Sequence, residues 1–355
     1  MRWAGWWAMS FLVVACGGAP PSGTSDAGGG AITSPDAGIP GTDAGTPADC
    51  AGLLPAGPGG AVTFDVPTNP GDACIGSLAD GQGVVAAGVQ PGAGPRRWVE
   101  YGAPYGSAQG TFESPWILPQ PKGFMGLFVD SNSQATVMLW DSGGGIVGTP
   151  TPIGNAGSVV LGPTLDAGVI SLFAGPTTLT VRKHDAEAGE MASTTVNGAF
   201  TPRAVVEDAS GAILAVTGSG TALSGFWVDL VKNTSGPPFS IGTGAAVLLR
   251  PLLGGGIAVQ IDGAWAGATQ PGDAALRAPP AWLGTASDFV PIRAGKAYAL
   301  IRPAGSVGVV SAQGSACGGL TFPGVTSVSI GLDGSAVGST GSSGCTRYLW
   351  RNVLR

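Results

Sequence analysis

The sequence predicts an almost purely β-stranded protein, and three observations carry that expectation. Short apolar runs recur along the chain, each bounded by a Gly- or Asp-rich turn. Charged residues make up only 11%, too few to clothe helices with exposed Glu and Lys faces. The 63 glycines and 29 prolines approach a low-complexity composition, but hydrophobic residues reach 44%, and beyond the N-terminal segment the glycines punctuate the apolar runs.

The C-terminal stretch TSVSIGLDGSAVGSTGSSGCTRYLWR (326–351) shows the pattern most plainly: an apolar run, an Asp-Gly turn, a small-residue run, a Gly/Ser turn and an aromatic run. Equivalent first turns precede it at ADGQ (79–82), DSNS (130–133), LDAG (165–168), DASG (208–211), GGG (254–256) and RAGK (293–296). Gly, Asp and Asn are the residues that tight hairpin turns with positive φ demand. From Gly81 to Gly334 the turns recur about every 42 residues. One strand precedes each turn, such as GFMGLFV (123–129) or SVSIG (327–331), and a second follows, such as AILAVT (212–217) or GIAVQI (256–261). A third is aromatic or amphipathic, as in RRWVEY (96–101), LTVRK (179–183) and SGFWVDL (224–230). A fourth is expected at TFESPWIL (111–118), PFSIG (238–242), PAWLG (280–284) and LTFPG (320–324).

Four strands at this spacing are the signature of propeller blades. Over 58–355 the chain resembles the β-propeller superfamily, without the Trp-Asp signature of WD40 repeats or the full kelch pattern. The expected fold is an all-β, seven-bladed β-propeller with blade closure by an N-terminal strand. That strand is AVTFDVP (61–67), which is similar to LTFPGV and would complete the last blade. A pair of β-sandwiches and a β-helix are the competing architectures.

The chain starts with MRWAGWWAMSFLVVA, one positive charge at Arg2 and then an apolar run ending in small residues. Residues 1–15 therefore read as a secretory signal peptide, too short for a membrane span. The following VVAC (13–16) resembles the lipobox of bacterial lipoproteins. The resemblance implies cleavage before Cys16 and lipidation of its thiol and amino group; an ordinary signal peptide with an incidental Cys is the alternative. Residues 16–49 form the lipidated Cys and a flexible tether, with Asp-Ala-Gly repeats at Asp26, Asp36 and Asp43 and no aromatic residue. As a random coil it spans about 30 Å. Gly17 stands where some bacterial lipoproteins carry an Asp that retains them at the inner membrane, so the resemblance points to the outer membrane, periplasmic or cell-surface face.

Residues 50–355 are the expected head. Its four cysteines, Cys50, Cys74, Cys317 and Cys345, are an even set in an exported protein and are expected as disulfides. Three connectivities exist; pairing neighbours, Cys50–Cys74 and Cys317–Cys345, closes the shortest loops and fits the repeat. No Cys-x-x-Cys spacing supports a metal site, and no cofactor motif is present.

No catalytic motif stands out. His184 is the sole histidine, expected as an exposed turn residue. No Gly-x-Ser-x-Gly elbow or Walker loop occurs, and DSNS (130–133) reads as turn chemistry rather than a calcium loop. The tryptophans of the head, Trp98, Trp116, Trp140, Trp227, Trp265, Trp282 and Trp350, are spread about one per blade, as packing predicts; a sugar platform is the functional alternative. A net charge of −6 without a basic cluster excludes the electrostatic footprint of nucleic-acid binding. The expectation is a lipid-anchored cell-envelope protein whose head is a non-catalytic binding or scaffolding module for an envelope protein or polysaccharide. A propeller enzyme acting on glycans, hydrolase or lyase, is the alternative.

Overall fold

A computed structural model describes residues 47–53, 57–141, 143–155, 158–340 and 345–354. These residues build seven antiparallel sheets, the blades of a β-propeller. The first strand, β1 (Val62–Asp65), pairs with the last, β28 (Thr346–Trp350), in the register Val62 to Leu349 through Asp65 to Thr346. Blade 1 follows as β2 (Ala73–Ala79), β3 (Val85–Gln90), β4 (Arg97–Tyr101) and β5 (Gly110–Glu113). Blade 2 is β6 (Ile117–Pro119), β7 (Phe124–Val129), β8 (Gln134–Trp140) and β9 (Ile146–Asn155). Blade 3 is β10 (Val159–Pro163), β11 (Val169–Ala174), β12 (Thr178–His184) and β13 (Glu190–Asn197).

Blade 4 comprises β14 (Thr201–Glu207), β15 (Ile213–Ser219) and β16 (Ala222–Asp229), with β17 (Thr234–Ser235) and β18 (Phe239–Thr243) sharing the outer edge of β16. Blade 5 holds three strands, β19 (Val247–Pro251), β20 (Ile257–Ile261) and β21 (Ala264–Thr269); a single bridge from Ala268 to Arg277 stands where a fourth would run. Blade 6 is β22 (Asp288–Ile292), β23 (Ala297–Arg302), β24 (Ser306–Ser311) and β25 (Ala316–Thr321). Blade 7 consists of β26 (Ser327–Ile330), β27 (Ala336–Ser339), β28 and, at its outer edge, β1.

The core lies between the blades. Seven clusters of buried side chains form, and each joins two adjacent sheets. Val85 and Val89 of blade 1 meet Val337 and Leu349 of blade 7, for example, while Ala86 and Trp98 meet Phe124 and Trp140 of blade 2. Both faces of a blade are thus covered, which is why the second strands read as continuous apolar runs rather than alternating ones. All but the last residue of β3 and all but the last two of β15 are buried. Small residues let the sheets approach: a Cβ on Gly162 of blade 3 would collide with the Val205 carbonyl of blade 4.

The turns have a common construction. Asp80 Oδ1 accepts the N–H groups of Gln82 and Val84, both at 2.8 Å, and Gly83 takes φ +82°. Asp130, Asp141, Asp185 and Asp208 each accept from the residues two and four positions on. The residue three on is left-handed in each: Ser133 (61°), Gly144 (74°), Ala188 (68°) and Gly211 (83°). This is a three-residue hairpin loop whose carboxylate satisfies the backbone donors that the loop would otherwise leave open. The glycine serves only one position, so Ala and Ser can replace it there at a modest cost.

Four expectations need correction. In blade 2 the DSNS turn joins the second and third strands, because TFESPWIL (111–118), expected as one fourth strand, holds most of β5, the fourth strand of blade 1, and the start of a short first strand of blade 2, β6. PAWLG (280–284) contains a 3-10 helix, Ala281–Leu283, instead of a strand. The outer strand β13 has no counterpart among the expected fourth strands, and the outer strand of blade 6, β25, runs over Ala316–Thr321 and overlaps LTFPG (320–324) only at its end. Finally, the disulfides join Cys50 to Cys317 and Cys74 to Cys345, across 267 and 271 residues, and not the sequence neighbours. The ring explains this: it brings residues near the start of the head beside blades 6 and 7, so the shortest loop in sequence is not the shortest distance in space. Residues 1–46, including Cys16 and the tether repeats, lie outside the described residues.

Each of these bonds closes nearly the whole head into a loop, and restricting so long a loop in the unfolded chain is worth about 2–5 kcal/mol. Peptide mapping under non-reducing conditions should recover 50–317 and 74–345. Cys74→Ser with Cys345→Ser should lower the chemical denaturation midpoint accordingly.

Candidate binding face

Antiparallel connection places every first-to-second turn, and the chain leaving every third strand, on one face. There the turns are tied to one another across the seams. Asp80 Oδ2 accepts the Gly123 N–H of blade 2 at 2.7 Å, and the Gly81 N–H donates to Gln120 O at 2.8 Å. Asp80 is fully buried; burial raises its pKa, and the amides of Gly123, Val84 and Gln82 oppose the rise. Between blades 3 and 4, Lys183 Nζ sits 2.7 Å from Glu207 and 3.0 Å from Asp166. Burial alone would lower the Lys183 pKa; its two carboxylate partners override that and raise it. Glu207 also accepts the Leu165 N–H at 3.2 Å, Asp208 accepts the Gly256 N–H of blade 5 at 3.4 Å, and Tyr298 of blade 6 accepts from Leu253 N–H.

A hollow of about 460 Å³ opens on this face where the first turns of blades 6, 7 and 1 meet the C-terminal segment. Arg293 enters from blade 6, Leu332 and Asp333 from blade 7, Gln82 from blade 1, and Arg351 and Asn352 from the chain beyond β28. Arg293, Ala294 and Gly295 are left-handed in succession (φ 55°, 50° and 79°), a conformation that costs each non-glycine residue on the order of 1–2 kcal/mol. The blade 7 wall is fixed by Leu354 N–H to Gly334 O (2.9 Å) and Asn352 N–H to Ser335 Oγ (3.2 Å). The Arg351 guanidinium lies 5.8 Å from the centre of the Tyr105 ring, whose hydroxyl donates to Gly83 O at 2.7 Å. A second hollow, about 570 Å³, lies on the opposite face between blades 5 and 6, against Trp265 and Pro279 to Ser287. There Trp265 donates to Ala286 O at 2.7 Å, so its indole N–H is already occupied.

His184 corrects an expectation: it is fully buried, not an exposed turn residue. Lying at the end of β12, it places Nε2 2.8 Å from Ser171 Oγ in β11, while Nδ1 has no hydrogen-bond partner. Burial, with the nearby Arg182 charge, pushes its pKa down to about 4, so the ring is neutral at pH 7. Among the described residues no acid completes a triad with the pair, and both side chains are fully buried; the dyad is a packed polar contact. Five of the seven tryptophans of the head, Trp98, Trp140, Trp227, Trp265 and Trp350, lie on third strands and pack into the seams. Asp130 to Ser133 form a capped turn. Cys50, Cys74, Cys317 and Cys345 serve as disulfides, and among the described residues no group of three or more His, Cys, Asp or Glu side chains is arranged to hold a metal.

Glu100 was not visible from the sequence as special. It sits in β4, fully buried in the seam of blades 1 and 2, and neither carboxylate oxygen meets a hydrogen-bond partner. Burial, then repulsion from Asp141, raises its pKa to about 8. Nothing in a lone Glu within RRWVEY distinguishes it from a solvated one.

No protein-family description matches the chain, and no curated protein is similar to it. Solved propeller structures are. The WD40 domain of Neurospora crassa Pan2 is 14% identical over 82% of this chain and 94% of that domain, with a TM-score of 0.51. A chain of the mitotic checkpoint complex is 12% identical over 92% and 98% (TM-score 0.46), and BamB from Moraxella catarrhalis is 16% identical over 83% and 92% (TM-score 0.38). At this identity the likeness to Pan2 establishes the propeller fold and nothing about activity.

Two ionisable groups generate predictions. A carboxyl whose pKa rises from 4.5 to about 8 on folding favours the protonated native state. Its contribution is present below about pH 4.5 and is lost as pH climbs toward 8. Glu100→Gln should therefore raise the melting temperature at pH 8 by roughly 2–5 °C and leave it nearly unchanged at pH 4. His184 shifts the other way, so its contribution is present above pH 6.5 and lost as pH falls through about 4. As the only histidine, it gives a single imidazole proton resonance, which should titrate near pH 4 in the native protein.

Proposed function

We propose that the chain is a lipid-anchored cell-envelope protein whose propeller head acts as a non-catalytic binding or scaffolding module. The observation that carries this reading is the first-turn face. Its turns are locked together by cross-blade hydrogen bonds, yet it exposes apolar side chains that do no structural work, Leu165 at 53% and Leu332 at 57%. Exposed apolar groups beside polar turns on a rigid ring suit protein association. Export is supported by two disulfides spanning nearly the full head, which persist in an oxidising compartment. No helix among the described residues is long and apolar enough to cross a membrane. Attachment through Cys16 is supported by the lipobox-like sequence before it, with the 16–49 segment as spacer.

The test is affinity capture from cell envelopes by the purified full chain, with Leu165→Asp plus Leu332→Asp as the comparison. A defined partner retained by the wild type and lost from the double variant is the expected result. Turnover of envelope glycans by the same preparation, without a captured partner, would replace the binding module with a glycan-acting enzyme. Metabolic labelling with a fatty acid should mark the wild type and not Cys16→Ala.

A further inference from the structure

We propose that the hollow between the first turns of blades 6, 7 and 1 is a docking site for an acidic peptide segment of a protein partner. This inference rests on the head being a binding module and assigns it a specific site and ligand chemistry. The protein carries a net charge of −6, and six of its cations are already used in ion pairs. Arg97, Arg182, Lys183, Lys232, Arg250 and Arg277 each meet a carboxylate within ion-pair distance. Arg293 and Arg351 face the same hollow from different blades, and among the described residues neither has such a partner. Arg293 Nε is buried and makes no hydrogen bond.

The one acid in the wall, Asp333, makes no ion pair with either arginine. Asp333 accepts the Ser335 N–H at 2.9 Å and the Ser335 hydroxyl at 2.6 Å, which engages its carboxylate within its own turn. Two arginines lining one cleft offer guanidinium groups that can bind carboxylates in paired hydrogen bonds. The cleft volume, about 460 Å³, falls within the range of ligand sites.

The lining selects a peptide over a polysaccharide. It contains no aromatic side chain on which a sugar ring could stack. It does offer the amides of Gln82 and Asn352 for peptide backbone groups, and Leu332 at its rim for an apolar side chain.

Fluorescence anisotropy with a labelled peptide alternating aspartate and leucine tests the site on the purified full chain, with an asparagine-for-aspartate peptide as control. Wild type should bind the acidic peptide at least tenfold more tightly than the control, and the difference should shrink between about 50 and 200 mM salt. Arg351→Gln should weaken acidic-peptide binding about tenfold, and so should Arg293→Asn, since Asn tolerates the left-handed backbone there. Thermal melts establish that both variants fold; should Arg293→Asn fail to fold, Arg351→Gln decides. Equal affinity for the two peptides overturns the proposal, as does binding unchanged by Arg351→Gln. Tighter, Arg351-dependent binding of polygalacturonate would instead make this a polysaccharide site and also overturns it. Envelope capture that survives loss of both arginines removes the hollow but leaves the binding-module reading intact. Absence of both peptide binding and envelope capture in the wild type overturns both.

Discussion

The structure depends on face-to-face packing of adjacent blades. Each sheet buries its two faces against two neighbours, and the seven buried clusters are the seven seams of that arrangement. A blade with two apolar faces has no stable existence alone, so every blade requires the next and the last requires the first. That requirement explains features that look unrelated in isolation: the continuous apolar second strands, the glycines at close approaches, and the covalent links between the two ends of the head.

Blade 7 is where the requirement is met. Its outer strand comes from residues 62–65 and its other three from the end of the chain, joined by four register pairs. So short a pairing contributes little by itself. It is reinforced by Arg347, fully surrounded, which donates to Ser77 Oγ and Ile75 O of blade 1 at 2.7 Å each, and by the Cys74–Cys345 bond. Burial lowers the Arg347 pKa from its ordinary value, but the group stays charged in any aqueous range. The cross-blade hydrogen bonds on the first-turn face are then a by-product of the same geometry, since turns brought side by side satisfy one another's amides.

The sequence was legible where local chemistry and period agreed. The Asp-capped turns and the apolar second strands give away the number of blades, because turn type and double burial each leave a compositional mark. It misled where tertiary context decided. In blade 2 the capped turn DSNS is locally indistinguishable from a first turn, and the true first turn, Gln120 to Gly123, lacks the Asp. In blade 5 the outer position is taken by irregular chain, so no fourth strand could be found there. The cysteine pairing and the burial of His184 depend on which strands become neighbours, information that spacing along the chain does not hold. The same is true of the hollow: Arg293 and Arg351 are 58 residues apart in the chain and become partners only through the ring.

The Cys50–Cys317 bond has a mechanical meaning. Residues 48–50 form a short helix against blade 6, where Asp49 accepts from the Ser311 hydroxyl, and Cys50 is bonded to the outer strand of that blade. Tension arriving from the N-terminal side reaches Cys50 before it reaches β1 and passes through the sulfur bridge into a complete four-stranded sheet. The short β1–β28 pairing, which would otherwise be peeled open strand by strand, is kept out of the load path. A head hung from its N-terminal end is thereby suspended from its body and not from its clasp.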